Sequence, residues 1–542
     1  MSEAYMPQDG VLAFDVKVGE HGFVALPFRR LKEEGIVVNW GDEEEELAGM
    51  PLGFAEHRYE PNTRHRIELK CSDWSKVYMA AIQSSKKNLD GLPFQSSVAK
   101  ARSCSWKILT PFPKLAGVAL YNWESTDYDI DGNVICRNME PVCMDNMLEY
   151  CMSFFQHIEE MPDNLFANNI SISFKNAFYG CEIDCPIPRS LFAGQIDVID
   201  FASCFELVTF KAQKPIPDRL FDDCRKAMLF ADLFKESNLK AIPESLFSGC
   251  VSALSYKGCF SGTQIESIPA CQLFEDSLKA TNFSFCFANC KSLERIGNKI
   301  FRGPKAEDYS YCFSGCTALE GTGCPFDLAY AKNFYGCFNE CSNLLSISGM
   351  LFYNASNAVD FGSCFDGCRN AIAIPDTLFH GCTSAENFDS VFRSCYSIKS
   401  VPKDLFAYCR NATTFTDAFK ECISLESVGE GAFRNCHEAA SFDSTFACCT
   451  SLGYVPVNLF AWSPLAEDFR KCFEGCINLF ETLKLYIPSK YVCDARHFIP
   501  KNASFGNQGT IVLVPLNSKT DDAFRREMFE NRALRVSYVD LN

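Results

Sequence analysis

The sequence lacks the features that direct a chain into a membrane or onto a nucleic acid. Its 542 residues contain no run of about 18 apolar residues, the length that a membrane-spanning helix needs. Lysine and arginine number 51 against 68 aspartates and glutamates, a formal net charge of −17. Because nucleic acids and anionic membranes reward clustered basic side chains, we expect no nucleic-acid partner and no membrane insertion. The first residues lack a basic segment followed by an apolar one, so we also expect no signal peptide.

Catalytic signatures are missing as well. We find no Gly-x-Ser-x-Gly, His-Glu-x-x-His or Gly-x-Gly-x-x-Gly motif and no phosphate-binding loop. Histidine occurs only seven times. Acidic pairs such as Glu159-Glu160 are typical of solvated surface, and the run from Asp42 to Glu46 lacks the ligand spacing of a calcium-binding EF-hand loop. The sequence therefore predicts a protein that is not an enzyme and needs no cofactor.

What the sequence does contain is an internal repeat of about 27 residues. The blocks 374–379, 401–406 and 455–460 share the pattern Ile/Val-Pro-x-x-Leu-Phe. Most repeats carry a second phenylalanine 12 or 13 residues after this anchor, and a cysteine often follows three residues later. The twelve anchors, 25–29 residues apart, are Phe166, Phe192, Phe221, Phe247, Phe274, Phe301, Phe326, Phe352, Phe379, Phe406, Phe433 and Phe460.

One repeat cannot bury its own apolar face, whereas stacked repeats can. The spacing of Phe388, Phe392, Cys395 and Ile398 puts these residues on one face of a short helical segment, and Pro402 favours an extended residue before it. We predict an α/β, leucine-rich-repeat-like solenoid of about twelve coils, each combining extended segments with one or two helical turns. The predicted structural core includes Phe379, Cys382, Phe392, Cys395, Phe406, Cys409, Phe419, Cys422, Phe433 and Cys436.

The 31 cysteines do not have the spacing of a metal site. Six Cys-x-x-x-Cys pairs occur without any Cys-x-x-Cys, and structural zinc sites usually add a second close pair or histidines. In sister repeats the first cysteine is replaced by Val391, Ala418 or Thr445, which cannot be equivalent ligands. We expect mostly free thiols that pack in the core and bind no metal. Disulfides between adjacent repeats stay an alternative, because their Cα atoms would be ~4.8 Å apart.

The two ends carry no repeat and are predicted to be separate elements. Residues 1–105 alternate in polarity around 37–42, 57–59 and 66–70, which indicates a β-sandwich-like head. Residues 106–150 are predicted to be a transition or N-terminal cap, 151–480 the solenoid and 481–542 a C-terminal cap. In this cap we predict a strand over 510–515 and a helix over 521–531, with Thr520 as its N-cap.

These motifs resemble the BspA-type leucine-rich repeat family of gut bacteria and their phages. The block 286–293, Cys-Phe-x-x-Cys-x-x-Leu, and the Pro-x-x-Leu-Phe blocks carry the resemblance. Trp40-Gly41-Asp42 and His57-Arg58-Tyr59 are similar to PKD-like, immunoglobulin-type domains, although Glu43 replaces the usual glycine. The resemblance implies a recognition or adhesion protein. Members without a secretion signal resemble components of phage tails or tail-like particles.

The resemblance and the sequence together favour a binding surface presented by a solenoid. We predict a virion or tail-like particle component, cytoplasmic until assembly, that contacts a host-surface protein or glycan and other particle or surface proteins. The sequence leaves the oligomeric state open; a homo-oligomer is one option, a trimer if the protein forms a fibre. The alternatives are a bacterial surface adhesin and an intracellular protein-binding scaffold. Candidate binding residues, some of which could instead fill the core, are Tyr309, Tyr311, Tyr330, Tyr335 and Tyr353.

Overall fold

The computed structural model describes residues 11–30, 36–47, 55–83, 103–122, 127–128, 134–135, 142–145, 147–152, 155–269, 273–479, 484–488, 494–498, 510–515, 525–526 and 534–539. Within these ranges the chain is β-rich and has almost no helix: one 3₁₀ turn, Trp74–Lys76, and the helical residues 525–526. No helix among them is long and apolar enough to cross a membrane. Two compact units divide the chain: residues 1–263 with 276–279, and residues 264–275 with 280–542.

The first unit contains a large mixed sheet of eight strands, in the order β16-β15-β14-β9-β1-β7-β4-β5. A four-stranded sheet, β13-β10-β8-β3, and the pairs β2-β6 and β11-β12 accompany it. The strands are β1 Val11–Lys17, β2 Phe23–Leu26, β3 Phe28–Arg30, β4 Ile36–Asn39, β5 Glu44–Leu47, β6 Ala55–Arg58, β7 Arg64–Lys70, β8 Val77–Gln83, β9 Ser105–Ile108, β10 Gly117–Asn122, β11 Asp127–Tyr128, β12 Val134–Ile135, β13 Val142–Asp145, β14 His157–Glu160, β15 Glu182–Ile183 and β16 Thr209–Phe210.

Strand β9 joins the antiparallel head to the parallel strands that follow. It pairs antiparallel with β1 and parallel with β14. Strand β14 in turn pairs parallel with β15, and β15 pairs parallel with β16. The ring of Phe14 on β1 lies 5.7 Å from that of Trp106 on β9 and 5.5 Å from that of Phe155, all three buried. Because β9 spans residues 105 and 106, the sheet runs across the boundary that the sequence predicted between head and transition.

The Trp-Gly-Asp and His-x-Tyr segments of the head lie against each other. The hydroxyl of Tyr59 donates to the carbonyl oxygen of Trp40 at 2.5 Å, and the rings of Trp40 and His57 stack at 5.1 Å. Nε2 of His57 lies 3.1 Å from Oδ2 of Asp42. These contacts link the turn after β4 to strand β6 and to the residue that follows it.

Within each unit, from Ser173 to Ser255 and from Ser267 to Asp494, successive repeats are linked by isolated parallel bridges between residues 25–29 positions apart. In the second unit two consecutive residues pair in this way and form one short parallel strand pair, β17 Ser400–Val401 with β18 Ser427–Val428. Equivalent phenylalanines stack in parallel, as with Phe406 and Phe433, whose ring centres are 5.6 Å apart at an interplanar angle of 2°. Each repeat therefore buries its aromatic side chains against its neighbours.

The predicted helical turns are wrong for the segment 388–398. Phe388 and Cys395 are buried as predicted, but Ser390 and Ser394 have left-handed backbone, with φ of 55° at both. Successive three-residue turns replace the helix, for example N–H of Cys395 to the carbonyl of Phe392. The alternate N–H groups, of residues 388, 390, 392 and 394, donate instead to carbonyls of the following repeat. A helix would direct these donors within its own repeat, so the turn conformation is what lets the repeats bond to one another.

The second unit ends in a three-stranded parallel sheet of β19 Lys484–Tyr486, β20 Thr510–Pro515 and β21 Leu534–Val539. Strand β20 has the bounds that the sequence predicted for a strand in the tail. The predicted helix over 521–531 is described only at residues 525–526, which are helical; Thr520 and the rest lie outside the described residues.

Candidate functional site: an exposed aromatic patch

One flank of the second unit is shaped by a column of short polar residues. At the bridge positions, Asp308, Asn333 and Asp360 each accept the backbone N–H two residues later through Oδ1, at 2.9 Å. Such Asx turns fix a sharp bend and tolerate a left-handed residue after it. The residue three positions after each bridge is left-handed, with φ of 54° at Tyr311 and 60° at Gly336. The side chains at these bends point out of the core.

Three aromatic residues occupy these bends in adjacent repeats; we call Phe285, Tyr311 and Tyr335 the aromatic patch. The rings of Phe285 and Tyr311 stack with centres 4.8 Å apart, and Tyr335 meets Tyr311 edge-on at 5.4 Å. Phe285 is 39% exposed, and both tyrosines are half-buried. Left-handed backbone is unfavourable for bulky residues, yet Phe285 has a φ of 57°. The same conformation recurs at the equivalent position of other repeats, as at Ser363 and Ser390, so it belongs to the fold of the repeat.

Two glycines make room for the tyrosine rings. A Cβ atom on Gly336 would lie 2.5 Å from Cε1 of Tyr311, and one on Gly362 would lie 2.9 Å from the ring of Tyr335. Each tyrosine therefore lies directly on the backbone of the next repeat. Other residues at these two positions, such as Asp389 and Ser390, show that the fold itself does not require glycine there.

Carboxylates border the patch on the side of the following repeats; we call Asp360, Asp366 and Asp389 the carboxylate border. Asp360 accepts Nδ2 of Asn387 at 2.9 Å, and Asp366 pairs with Arg393 at 2.7 Å. Burial raises the pKa of all three carboxyl groups, and the charge of Asp389 adds to the effect on Asp360.

The patch and its border interact electrostatically. The pKa of the Tyr311 phenol is raised by burial first, then by the neighbouring Tyr335 and by the charges of Asp360 and Asp366. The charges of Asp360 and Asp366 therefore place negative potential at the Tyr311 phenol. Asp360 and Asp389 have no lysine or arginine partner among the described residues; their hydrogen-bond partners are neutral.

The structure separates the five tyrosines that the sequence suggested as binding residues. Tyr309 has no exposed surface and stacks at 5.5 Å on Phe334 in the core, so its assignment to a binding surface is wrong. Tyr311 and Tyr335 belong to the patch. Tyr330 is 46% exposed and lies beneath Nζ of Lys305 at 5.7 Å, while Tyr353 is 44% exposed at a different position of its repeat.

The residues predicted as structural core all lie in the interior. The side chains without exposed surface include Phe379, Cys382, Phe392, Cys395, Phe406, Cys409, Phe419, Cys422, Phe433 and Cys436. The cysteines that the structure describes are free thiols. Burial raises the pKa of the five core thiols of Cys382, Cys395, Cys409, Cys422 and Cys436, to about 12 at Cys422. At neutral pH they are therefore protonated. Many buried cysteines donate to a phenylalanine carbonyl of the preceding repeat, as Cys449 does to Phe419 at 3.0 Å.

A second polar cluster lies in the first unit at the ends of β14 and β15. Single ligand atoms of His157, Glu182 and Asp184 lie within 4.8 Å of one another, a spacing that could hold a metal ion. The ammonium group of Lys211 contacts Glu182 and lies 3.4 Å from Asp184. The two carboxylates of the cluster therefore already have a cationic partner from the chain itself. Although burial alone would raise it, the contacts with His157 and Lys211 lower the pKa of Asp184. These features are those of an ion-pair network.

Sequence reasoning missed Phe285 and the polar column beneath the patch. Both had a signal: in nearly every repeat an Asp, Asn, Ser or Thr immediately precedes the central aromatic residue, as at Asn282-Phe283 and Asp308-Tyr309. Aligning the repeats on this polar–aromatic dipeptide places Phe285 and Tyr311 at the same position of their repeats. It places Tyr309 at the position of the buried aromatic residues, such as Phe283.

No known protein-family model matches the chain, and a comparison with curated proteins finds no matching relative.

Proposed function

We propose that the protein is a non-enzymatic recognition protein whose repeats form a leucine-rich-repeat-type solenoid of about twelve coils, between a PKD-like β-sandwich head and a C-terminal cap. The parallel bridges and stacked rings between repeats support the solenoid. The partner binds at the aromatic patch. The observation that carries this proposal is the pair Phe285 and Tyr311, stacked at 4.8 Å on left-handed backbone and accessible to solvent.

The aromatic patch has the properties of an interface anchor. Tyrosine and phenylalanine supply large contact areas at a low cost in conformational entropy, and they are enriched among residues that dominate binding energy. The rings are fixed before binding because Gly336 and Gly362 seat them on the next repeat. Preorganisation of this kind reduces the entropic cost of association.

The biological setting follows from the resemblance to BspA-type proteins. We propose a component of a phage tail or tail-like particle that contacts the surface of a gut bacterium. The solenoid would face the host, and the head or the cap would dock to other particle proteins. A bacterial adhesin and an intracellular scaffold are the alternatives. The oligomeric state of the purified chain, measured by light scattering, distinguishes a tail fibre from a scaffold: a trimer favours a fibre, and a monomer favours a scaffold.

Binding of the labelled full chain to a panel of intact gut bacteria tests the role of the patch. We expect the double variant Tyr311→Ser/Tyr335→Ser to lose binding to any strain that the natural chain recognises. The matched control is Tyr353→Ser/Tyr408→Ser, which removes two exposed tyrosines outside the patch. Equal binding by the natural chain and the patch variant would refute a recognition role for the patch.

A further inference from the structure

The aromatic patch has a charge environment that selects among partners. Two other aromatic rings of the second unit, the exposed Tyr330 and the half-buried Tyr396, already carry a cation of this chain: Lys305 lies 5.7 Å from the ring centre of Tyr330, and Arg369 lies 5.6 Å from that of Tyr396. Among the described residues no such cation lies over Phe285, Tyr311 or Tyr335. The exposed part of Phe285 and the outer edges of the two half-buried tyrosine rings are therefore available to a cation from a partner.

The carboxylate border provides a second, independent attraction for positive charge. Asp360 and Asp389 lie close enough for the charge of one to raise the pKa of the other, and their hydrogen-bond partners are the neutral side chains of Asn387 and Thr414. An arrangement of like charges without a cation is relieved when a partner supplies one. Asp366 already has its partner in Arg393 and is not counted toward this attraction.

We propose that the aromatic patch and the carboxylate border together bind a cationic, arginine- or lysine-rich segment of a partner protein. This inference rests on the proposed recognition function and names the chemistry of its ligand. One arginine of the segment stacks on the exposed part of Phe285, and others further along it pair with the carboxylates of Asp360 and Asp389, which lie in later repeats. Arginine is the better ligand, because its planar group both stacks on rings and forms bidentate pairs with carboxylates.

The surrounding charge excludes the opposite class of partner. The chain carries a net charge of −17, so an acidic polysaccharide or nucleic acid would be repelled at long range. The stacking of Phe285 against Tyr311 also covers one face of each ring. A neutral sugar gains no charge attraction from the carboxylate border, whereas a cationic side chain does.

Fluorescence anisotropy of a labelled oligoarginine peptide with the full chain tests the proposal. We expect saturable binding that weakens as salt rises. The variants Tyr311→Ser/Tyr335→Ser and Asp360→Asn/Asp389→Asn should each weaken it at least about tenfold, the equivalent of about 1.4 kcal/mol. Asp376→Asn/Glu438→Gln removes the same charge from exposed positions outside the border and should leave the affinity nearly unchanged. Circular dichroism and thermal melting establish that every variant is folded.

Three results would overturn the proposal. Equal weakening by the Asp376/Glu438 control would mean that the peptide responds only to net charge. Absence of peptide binding would exclude a cationic ligand. Patch-dependent binding of a neutral hexasaccharide in place of the peptide would assign the patch to a glycan. The assay of binding to intact bacteria distinguishes a wrong ligand class from a wrong function. If Tyr311→Ser/Tyr335→Ser abolishes binding to bacteria although the peptide does not bind, the patch remains a recognition site and only the proposed ligand class is wrong.

Discussion

The thiol of Cys422 donates a hydrogen bond to the carbonyl oxygen of Phe392 in the preceding repeat, with 3.1 Å between Sγ and oxygen. The same carbonyl accepts the N–H of Cys395 within its own repeat. The cysteine column therefore links neighbouring repeats, because Cys395 and Cys449 make the equivalent bonds to Phe365 and Phe419, at 3.2 and 3.0 Å. A small buried donor is what these positions share.

Loss of this donor should be measurable. We expect Cys422→Ala to lower the free energy of unfolding by about 1–2 kcal/mol, since it removes a buried hydrogen bond and leaves a small void. Cys422→Ser retains a donor of similar size and should cost less. Urea unfolding followed by circular dichroism measures both variants. A serine variant less stable than the alanine variant would contradict a role for the hydrogen bond.

Removing a core ring should have a larger effect. Phe406 lies between equivalent rings of both neighbouring repeats, 5.4 Å from Phe379 and 5.6 Å from Phe433. Phe406→Ala should therefore destabilise the protein by about 3–5 kcal/mol. Tyr408→Ala, two residues away at a 48% exposed position, is the control and should change stability by less than about 0.5 kcal/mol. An unchanged urea midpoint for Phe406→Ala would contradict its place in the core.

The sequence predicted an α/β fold of extended segments and helical turns; the extended, β-rich character is confirmed, but the local backbone of the turns could not be predicted. The spacing of Phe388, Phe392 and Cys395 fits one face of a helix, and it fits equally a series of turns interrupted by left-handed residues. The difference lies in where the N–H groups bond. Those bonds go to a repeat 26 residues away, and periodicity within one repeat carries no information about them.

The candidate site was only partly predictable for a related reason. Tyr309 and Tyr311 are two residues apart and equally polar, yet one is buried and the other lies in the patch. Composition cannot separate them, but register can, because Tyr309 aligns with Phe283 and Phe334. The pairing of Tyr311 with Gly336 could not be inferred, because it depends on how repeats stack.

Stability should depend on pH through Asp360. Burial raises the pKa of this carboxyl in the folded protein, so the protonated form is favoured there and ionisation costs stability as pH rises through the folded pKa. Asp360→Asn keeps an acceptor for Asn387 and removes the charge. We expect a higher thermal midpoint than the natural chain at pH 7, and no difference below the ordinary aspartate pKa of about 3.9. A variant that is less stable at pH 7 would show that the charge is favourable.

Two adjacent cysteines should differ sharply in reactivity. Cys448 is exposed, whereas Cys449 has no exposed surface and burial raises the pKa of its thiol. Because thiolates react with maleimides and buried thiols do not, Cys448 should be labelled in the native protein and Cys449 only after unfolding. Mass spectrometry of the peptide after brief N-ethylmaleimide treatment measures this. Cys448→Ser should abolish the modification, and Cys449→Ser should leave it unchanged.

The seating of Tyr311 on Gly336 can be tested by a double-mutant cycle. Gly336→Ala introduces a Cβ atom 2.5 Å from the tyrosine ring, at a residue whose φ of 60° also disfavours alanine. The backbone part should cost about 1 kcal/mol in any background. The clash should disappear when the ring is removed, so Gly336→Ala should cost less in Tyr311→Ser than in the natural chain. We expect a coupling of at least about 0.5 kcal/mol from urea unfolding of the four proteins. Additive losses would mean that the ring moves aside freely and that Gly336 is needed only for its backbone conformation.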